Sequence, residues 1–428
     1  MKTIVIVHSA KRHDSEGTNL YTPQLVQELE GHDWLQKLRR DAADGVNAFS
    51  YPSHEDEEWR YSPIDRLELD QFIPVLSKPE APDTSFDRQS DELYTISTID
   101  GFLLEYDQAD SFRISSISNI EEPIDIEAPE DILSSINLAF SPDPLLIQVP
   151  KGSRVEKPLV IDHRWAKDGA ACFPLVRIEV EENAQIEIVE IFHHSEVTSL
   201  VIPETKIYVG NGSNVNYQQV QNLGTNVWQL GSLGVSVGQQ GNFDGAIAAI
   251  GGEYARLKTN CLLSGRGASA KISAIYHGDG NQILDFRTQQ EHVDRDTQSE
   301  LLFKGILDEA STSIYTGLIR VHNEASGTNA FQTNRTLKLC ESAWAESVPN
   351  LEIENNDVKC SHASTVSPVD EDQRFYLESR GVPTREAEKL IVRGFLQEIV
   401  SSLPVEEING WIADLFNKKL DSRTIYEQ

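Results

Sequence analysis

Short stretches of alternating apolar and polar residues dominate the middle of the chain. The segments Arg177-Ile-Glu-Val180 and Gln185-Ile-Glu-Ile188 are typical. Successive side chains of a strand point to opposite faces, so a period of two predicts strands with one buried face. This pattern runs from about residue 93 to residue 365, with Asn, Gly and Ser between the apolar stretches. It predicts a mainly β protein over this range.

The turns between these stretches recur at nearly constant spacing. They end at Val155, Ile186, Val215, Phe243 and Ala270, which are 31, 29, 28 and 27 residues apart. A drifting period of this size indicates stacked repeats, in which each coil buries its inward side chains against its neighbours. We therefore predict a β-helix (β-solenoid) whose ends are capped by helical termini. A β-sandwich stays open as an alternative, because each repeat has room for a hairpin.

Helical spacing appears on both sides of this core. Thr22-Pro23 is a typical helix start, and leucines follow at helical intervals toward Gly45: Leu25, Leu29, Leu35 and Leu38. The Pro-containing segment "VLSKPEAPDTSF" (75–86) then predicts a linker. We assign residues 1–92 to an N-terminal helical region with its linker, 93–369 to the β-helix core and 370–428 to a C-terminal helical domain.

Two amphipathic helices are predicted in the C-terminal domain. Thr384 is placed as the cap of a helix with one apolar face, formed by Ala387, Leu390, Ile391, Phe395 and Ile399. Pro404 opens a second, whose apolar residues are Val405, Ile408, Trp411, Ile412, Leu415 and Phe416. This apolar surface either packs on the protein's own core or also serves a partner.

The charge and the cysteines narrow the class of protein. With 68 acidic against 37 basic side chains, the net charge of -31 argues against binding nucleic acid or an anionic membrane. No apolar run reaches 18 residues, and the run Ile4 to Val7 is too short for a signal peptide. We expect a cytoplasmic protein in which the four scattered cysteines stay reduced.

The sequence contains no convincing nucleotide-binding or hydrolase motif. Gly265-Arg-Gly267-Ala-Ser-Ala270 matches the dinucleotide fingerprint, but the following "KISAIYH" alternates like a strand where the fingerprint needs a helix. No G-x-x-x-x-G-K-[ST] occurs, so we expect no ATP site on this chain. No nucleophile elbow or His-Glu-x-x-His is present, and no catalytic residue is predicted.

The segment "DVKCSHAST" (357–365) carries the one candidate for metal chemistry. Cys360 and His362 lie two residues apart, so a strand points both side chains to the same face. A thiolate and an imidazole suit zinc or iron–sulfur chemistry, but such sites usually have four ligands, so this is half a site. Cys340 precedes Cys360 by twenty residues, about one coil, so the two could be close on neighbouring rungs. Cys172 and Cys261 are predicted to be buried apolar residues.

The C-terminal third carries a longer signature. Its segments are "EHVDRDTQSELLFKGILDEASTSIYTGLIRV", "NAFQTNRTLKL", "PNLEIENNDVKCSHASTV" and "DEDQRFYLESRGVPTREAEKLIVRGF". Together they resemble the SufB/SufD family of iron–sulfur cluster assembly proteins. The segment "EEWRYSPID" (57–65) resembles an N-terminal element of the same family.

Two details resemble SufD more than SufB. SufB-type chains carry a cysteine after the glutamine of the stretch 332–337, where this chain has Thr333. They also read Glu-His-Glu in place of Cys360-Ser361-His362. A SufB-type main scaffold stays the alternative. One departure from the family pattern is Ala363-Ser-Thr365 in place of Gly-Ala-Thr, which leaves the local turn geometry open.

The resemblance implies a non-catalytic scaffold with a β-helix core and flanking helical domains. It implies a complex with a SufB-like scaffold and a SufC-like ABC-type ATPase, and a transient iron–sulfur cluster at the SufB/SufD interface. His362 would face the cluster-forming cysteine of the partner, with Cys360 as its neighbour. The C-terminal domain would dock the ATPase through partner-binding residues Phe375, Tyr376, Arg380, Gly381, Phe395 and Trp411.

Three questions stay open from the sequence. One is whether the complex carries a flavin, and another is whether the isolated chain forms a homodimer. The third is whether the chain is instead a β-helix carbohydrate enzyme, which is the weaker alternative function. Such enzymes use clustered carboxylates or arginines on successive rungs, and the sequence shows no such cluster.

Overall fold

Two long sheets that face each other form the centre of the molecule. The computed structural model describes residues 20–79 and 92–422. The strands are β1 (Ile73–Pro74), β2 (Tyr94–Ile99), β3 (Phe102–Tyr106), β4 (Arg113–Ser116), β5 (Leu145–Val149), β6 (Leu159–Arg164), β7 (Ala170–Cys172), β8 (Leu175–Val180), β9 (Gln185–Phe192), β10 (Ser199–Val201), β11 (Glu204–Val209), β12 (Asn214–Gln221), β13 (Val227–Val237), β14 (Asn242–Ala249), β15 (Tyr254–Leu263), β16 (Ser269–Gly278), β17 (Ile283–His292), β18 (Gln298–Leu307), β19 (Thr312–Val321), β20 (Asn329–Lys338), β21 (Trp344–Ile353) and β22 (Lys359–Pro368).

Helices occur mainly near the two ends of the chain. The α-helices are α1 (Pro23–Val26), α2 (Asp33–Val46), α3 (Ile132–Phe140), α4 (Glu371–Ser379), α5 (Thr384–Val400) and α6 (Asn409–Ser422). Short 3-10 helices cover Glu57–Trp59, Ile64–Arg66, Leu69–Gln71, Ile117–Asn119 and Glu406–Ile408. Within the described residues, no helix combines the length and the apolar character needed to cross a membrane.

The chain winds as a solenoid. Sheet A has the strand order β4-β5-β8-β11-β13-β15-β17-β19-β21, and sheet B the order β3-β2-β6-β9-β12-β14-β16-β18-β20-β22. From β5 and β6 onward each coil gives one strand to each of these rows, and neighbouring coils pair in parallel. The short strands β1, β7 and β10 also belong to sheet A, beside this row. Eight such coils end at β21 and β22. The predicted mainly β solenoid is confirmed, and the sandwich alternative is wrong, because its hairpins would pair antiparallel.

The recurring turns identified in the sequence stack on one another. Ile186, Val215, Phe243 and Ala270 are register partners in successive coils. The turn before each sheet B strand from β6 to β20 contains a residue with positive φ, a conformation that Gly, Asn and Asp adopt at low cost. These residues are Gly152, Asn183, Gly212, Gln240, Gly267, Asp296 and Gly327. Gly267 therefore belongs to a solenoid turn that leads into strand β16, which agrees with rejecting the dinucleotide fingerprint.

The space between the sheets, called the lumen below, changes character along the solenoid. In the early coils it is filled by fully buried aliphatic residues such as Ile147, Ile161, Ile178 and Ile188. Toward the C-terminal end, polar side chains occupy the equivalent lumen-facing positions; they include Thr288, Gln290, His292, Ser299, Gln332, Asn334 and Thr336. These side chains need hydrogen-bond partners inside the protein.

The N-terminal helices lie on the outer face of sheet A. Together with α3 they share an apolar cluster with sheet residues such as Leu175, Trp228 and Tyr254. The predicted continuous helical region is instead two helices, because Gly31 interrupts it with φ 152° between α1 and α2. Helix α3 lies inside the range predicted to be strands. The start of the chain and most of the predicted linker fall outside the described residues.

The C-terminal helices pack on the outer face of sheet B. The buried residues Val392, Leu396, Ile399 and Ile412 share a cluster with outward apolar residues of sheet B such as Val189. The prediction that helical termini cap the solenoid is therefore wrong at this end. An amphipathic helix is stabilised where its stripe meets an apolar surface, and that surface is the side of the sheet.

Two details of the predicted C-terminal helices need correction. Thr384 is the first residue of α5, and Pro383 occupies the cap position without a side-chain cap hydrogen bond. Leu390 is 48% exposed, so it does not belong to the buried stripe. The stripe is rotated toward Val392 and Leu396, which the sequence pattern did not separate from Leu390 and Ile391.

Candidate functional site

The two ends of the solenoid differ. At the first coil, β3 and β4 pair antiparallel with β2 and β5 and close the sheet edges, and Phe112 joins the lumen core there. At the last coil, no described element pairs with the outer edge of β21 or β22. The lumen-facing side chains of this coil are also uncovered, since Ile353 and Val366 are both more than 40% exposed. We call this surface, formed by β21 and β22, the open end.

Cys360 and His362 lie at this open end. They are register partners of Ala330 and Gln332 on β20, both of which are buried in the lumen. Side chains in register on neighbouring strands share a face, so Cys360 and His362 both belong to the lumen side of β22. The predicted shared face is confirmed. Residues 363–365 continue β22, so no turn follows the histidine and the doubt about turn geometry is resolved.

Cys360 has a partly apolar environment. It is half-buried and packs with Leu351 and Val358 against a small cluster that contains Ile319 and Ala330. Burial raises the pKa of the Cys360 thiol, while the Ala330 backbone opposes the rise. The thiol is therefore protonated near neutral pH in the uncovered chain. A metal ion would displace this proton on binding.

A hydrogen-bonded bridge crosses the lumen beside the two residues. Ser364 on β22 donates to Ser347 Oγ on β21 at 2.7 Å, and Asn334 Nδ2 donates to the same Oγ at 3.1 Å. This bridge joins the last strands of the two sheets. It fixes the separation of β21 and β22 where no further coil covers them.

The chain does not assemble a complete metal site from its described residues. No group of three or more His, Cys, Asp or Glu side chains is placed to hold a metal ion there. Cys172 and Cys261 are buried, as predicted. Cys360 and His362 are thus the two candidate ligands at the open end.

The idea that Cys340 lies close to Cys360 is wrong. Cys360 pairs with Ala330 near the start of β20, whereas Cys340 follows the end of that strand at Lys338. Eight residues of strand separate the two levels by about 26 Å. Cys340 instead donates to Asp308 Oδ1 at 2.9 Å.

Helix α4 presents an exposed aromatic surface. Phe375 is 71% exposed and Tyr376 is 58% exposed, and the Arg380 guanidinium lies 5.2 Å from the Tyr376 ring centroid. Gly381 ends this helix with φ 84°, and its N–H donates to the Glu378 carbonyl. Helix α4 has no buried residue of its own. Exposed aromatic rings on a short helix are typical of a protein contact surface.

The other two predicted partner-binding residues are engaged within the molecule. Phe395 is half-buried under the Lys304 ammonium, whose Nζ lies 4.8 Å from the ring centroid. Lys304 Nζ also donates to the Phe395 carbonyl at 2.9 Å and pairs with Glu398. Trp411 is half-buried in the same cluster. Phe395 and Trp411 hold α5 and α6 against sheet B.

Gln332 and Gly317 also belong to this region, and the sequence did not single them out as site residues. Gln332 lies beside His362 in register, and its side-chain amide extends into the lumen toward Gly317 on β19. The sequence nevertheless contained a signal that could have pointed to Gln332. Alternate residues of β20 are polar (Gln332, Asn334, Thr336), whereas their register partners in β18 are the apolar Leu301 and Phe303 and the small Gly305.

Surface grooves elsewhere have their charges already paired. A groove of about 380 Å³ on the outer face of sheet A is lined by Lys206 and Lys258. Lys206 pairs with Glu127 and Glu204, and Lys258 pairs with Glu58. Neither Cys360 nor His362 lines it. The open end is therefore the better candidate site.

Comparisons with known proteins agree with the sequence signature. The family model described as "SUF system FeS cluster assembly, SufBD core domain" matches residues 163–395. An iron–sulfur cluster assembly SufBD family protein of Mycobacterium tuberculosis is 28% identical over 388 residues, covering 89% of this chain and 92% of that protein. The iron–sulfur cluster assembly protein SufD of Bacillus subtilis is 27% identical over 303 residues, covering 69% and 68%.

Proposed function

The chain belongs to the SufBD family of the SUF iron–sulfur cluster assembly system, and we propose that within it the chain is the SufD-type, non-catalytic scaffold subunit. The observation that carries this proposal is the position of His362 and Cys360 on the lumen side of the uncovered last strand. Thr333, where SufB-type chains have cysteine, supports the SufD type. The iron–sulfur cluster is cargo of this system, formed and passed on.

Half a site suits a cluster that must be released. His362 contributes an imidazole and Cys360 a thiol, and the remaining ligands come from a second chain that covers the open end. A site divided between two chains exists only while they are docked, so a change in docking changes the affinity for the cluster. The half-buried thiol has a raised pKa and must give up its proton to bind iron, which weakens metal binding by the uncovered chain.

Two partners follow from this proposal. A SufB-like scaffold would pair with the free edges of β21 and β22, and a SufC-like ABC-type ATPase would dock on α4 through Phe375, Tyr376 and Arg380. Unpaired strand edges are templates for another strand, and exposed aromatic residues and arginine are favoured contact residues. The compartment of this assembly would be the cytoplasm.

The experiment replaces His362 in the complex. The chain is co-expressed with a SufB-like and a SufC-like protein, and the iron and sulfide content of the purified complex is measured after anaerobic reconstitution. We expect His362→Ala to leave the complex assembled and to lower cluster content by about tenfold. Ser361→Ala is the matched control, because Ser361 lies on the opposite face of β22. Full cluster content in the His362→Ala complex would contradict the proposal.

A further inference from the structure

Gln332 is a buried glutamine whose side-chain amide has no hydrogen-bond partner among the described residues. Its side chain faces the lumen on β20, and the residue is 2% exposed. Within residues 20–79 and 92–422, neither its Nε2 nor its Oε1 has a partner. A buried amide without partners destabilises the folded state, because it has lost its hydrogen bonds to water. Such a group is expected to hydrogen bond to a ligand, to a water molecule or to a side chain that does not contact it in this structure.

The fold makes room for this amide. A Cβ built on Gly317 would lie 2.2 Å from Gln332 Nε2 and 2.6 Å from its Cδ. The amide therefore occupies the space that any other residue at position 317 would fill. A glycine inside a strand weakens the strand and often marks the close approach of another group. Gly317 and Gln332 together place the amide at the last covered level of the lumen.

His362 occupies the position on the next strand, β22, that is in register with Gln332. Neighbouring strands lie about 4.8 Å apart. The imidazole is exposed, and no hydrogen bond to it is found among the described residues. An amide offers an acceptor and donors, and a neutral imidazole offers one of each. A rotation of the His362 side chain toward the lumen therefore satisfies both groups.

We propose that Gln332 is a positioning residue for His362. The Gln332 amide hydrogen bonds one ring nitrogen, holds the ring over the lumen and fixes its tautomer, so that the other nitrogen is presented to iron. Histidine ligands commonly donate their second N–H to a carbonyl or carboxylate in this way. Covering the open end strengthens the bond, because water no longer competes for it. The role toward iron rests on the proposed function, whereas the amide–imidazole bond does not.

The bond is tested by nuclear magnetic resonance of the full-length chain with ¹⁵N-labelled histidine rings, the His362 signals being identified by their loss in His362→Ala. We expect Gln332→Leu to move the His362 ring ¹⁵N shifts toward those of a freely solvated neutral histidine. Gln332→Glu keeps an acceptor oxygen and should retain the tautomer of the wild type. Gly317→Ala, which displaces the amide without removing it, should act like Gln332→Leu.

Gln290→Leu is the matched control. Gln290 is also lumen-facing and fully buried, and its Oε1 also has no partner in the described part of the chain, but it lies on β17, away from β22. Its replacement should leave the His362 signals unchanged. Unchanged His362 signals in both Gln332→Leu and Gly317→Ala would overturn the proposal. That result is distinct from failure of the proposed function, which shows as normal cluster content in His362→Ala.

In the complex, Gln332→Leu should lower cluster content severalfold, and Gln290→Leu should not. Equal cluster content in the two variants would contradict the proposal that Gln332 positions His362 to bind iron. The spectra thus test whether the hydrogen bond between Gln332 and His362 exists, and the cluster assay tests whether that bond contributes to cluster assembly.

Discussion

His292 illustrates how a polar residue is kept inside this lumen. It is fully buried, with Nδ1 2.9 Å from Thr297 Oγ1 and Nε2 2.9 Å from Ser299 Oγ. Hydroxyl groups can accept from one ring nitrogen and donate to the other, so both nitrogens of a neutral ring are satisfied. Burial lowers the pKa of His292 from 6.5 to about 4. The ring is therefore neutral in the folded protein at neutral pH.

This lowered pKa makes the protein sensitive to acid. Between pH 6.5 and about pH 4 the unfolded chain binds a proton at His292 that the folded chain does not, so stability falls as pH falls through this window. The whole effect amounts to at most about 3 kcal/mol. We expect His292→Gln to reduce the loss of stability between pH 7 and pH 4.5, measured by urea denaturation. His194→Gln, a change at a surface residue, is the control. An identical acid response in wild type and His292→Gln would contradict this explanation.

Single residues also show where sequence reasoning stops. The alternation of a strand was enough to place Cys360 and His362 on one face. The alignment of Gln332 with His362 was not predictable, because it depends on the register between strands thirty residues apart. The predicted closeness of Cys340 to Cys360 was wrong for the same reason, because a separation in sequence does not state at which end of a strand a residue lies.

At the scale of elements, β22 has a free edge with a defined polarity. Lys359 N–H donates to Thr328 O, toward β20. Alternate residues of a parallel strand bond the same neighbour, so the backbone groups of Cys360, His362, Ser364 and Val366 point to the free edge. On β21, Trp344 N–H donates to Ser311, which by the same alternation places Pro349 on the free-edge side without a donor. Pro368 also lacks a donor on the free edge of β22, but it lies at the end of the strand, so β22 offers an uninterrupted run of donors from Cys360 to Val366.

Removing one donor from this edge tests its use. Val366→Pro deletes a free-edge N–H and leaves the residues that bond β20 unchanged. We expect the affinity for a SufB-like partner to fall by about threefold to tenfold, because one hydrogen bond contributes about 0.5–1.5 kcal/mol. Calorimetry of the purified chains measures this change. Val366→Thr keeps both the N–H and the β-branched shape and should bind like wild type. Unchanged affinity in Val366→Pro would mean that β22 does not pair.

Elements were easier to predict than their arrangement. The solenoid was readable because each turn repeats a local requirement for positive φ, seen for example at Gly152, Asn183 and Gly212. The position of the C-terminal helices was not readable, since their apolar stripe fits either the end or the side of the stack. The deciding factor is the apolar outer face of sheet B, whose outward residues the sequence does not distinguish from its lumen residues.

The whole molecule is asymmetric. Its first coil is closed by antiparallel strands, its sides are covered by helices on both sheets, and no described element pairs with its last coil. A net charge of -31 makes two copies of this chain repel each other. This repulsion favours a different, less acidic chain over a second copy at the open end. The half-site and the free edge lie on that surface, and the Gln332 amide is buried one strand beneath it.

Hydrogen–deuterium exchange of the full-length chain, with and without a SufB-like partner, tests this account most directly. The account predicts slower exchange in peptides that cover β21 (344–353) and β22 (359–368) when the partner binds. Exchange in β13 (227–237), in the middle of the solenoid, should stay the same. Slower exchange at other surfaces, with β21 and β22 unchanged, would contradict the claim that the open end is where a second chain completes the site.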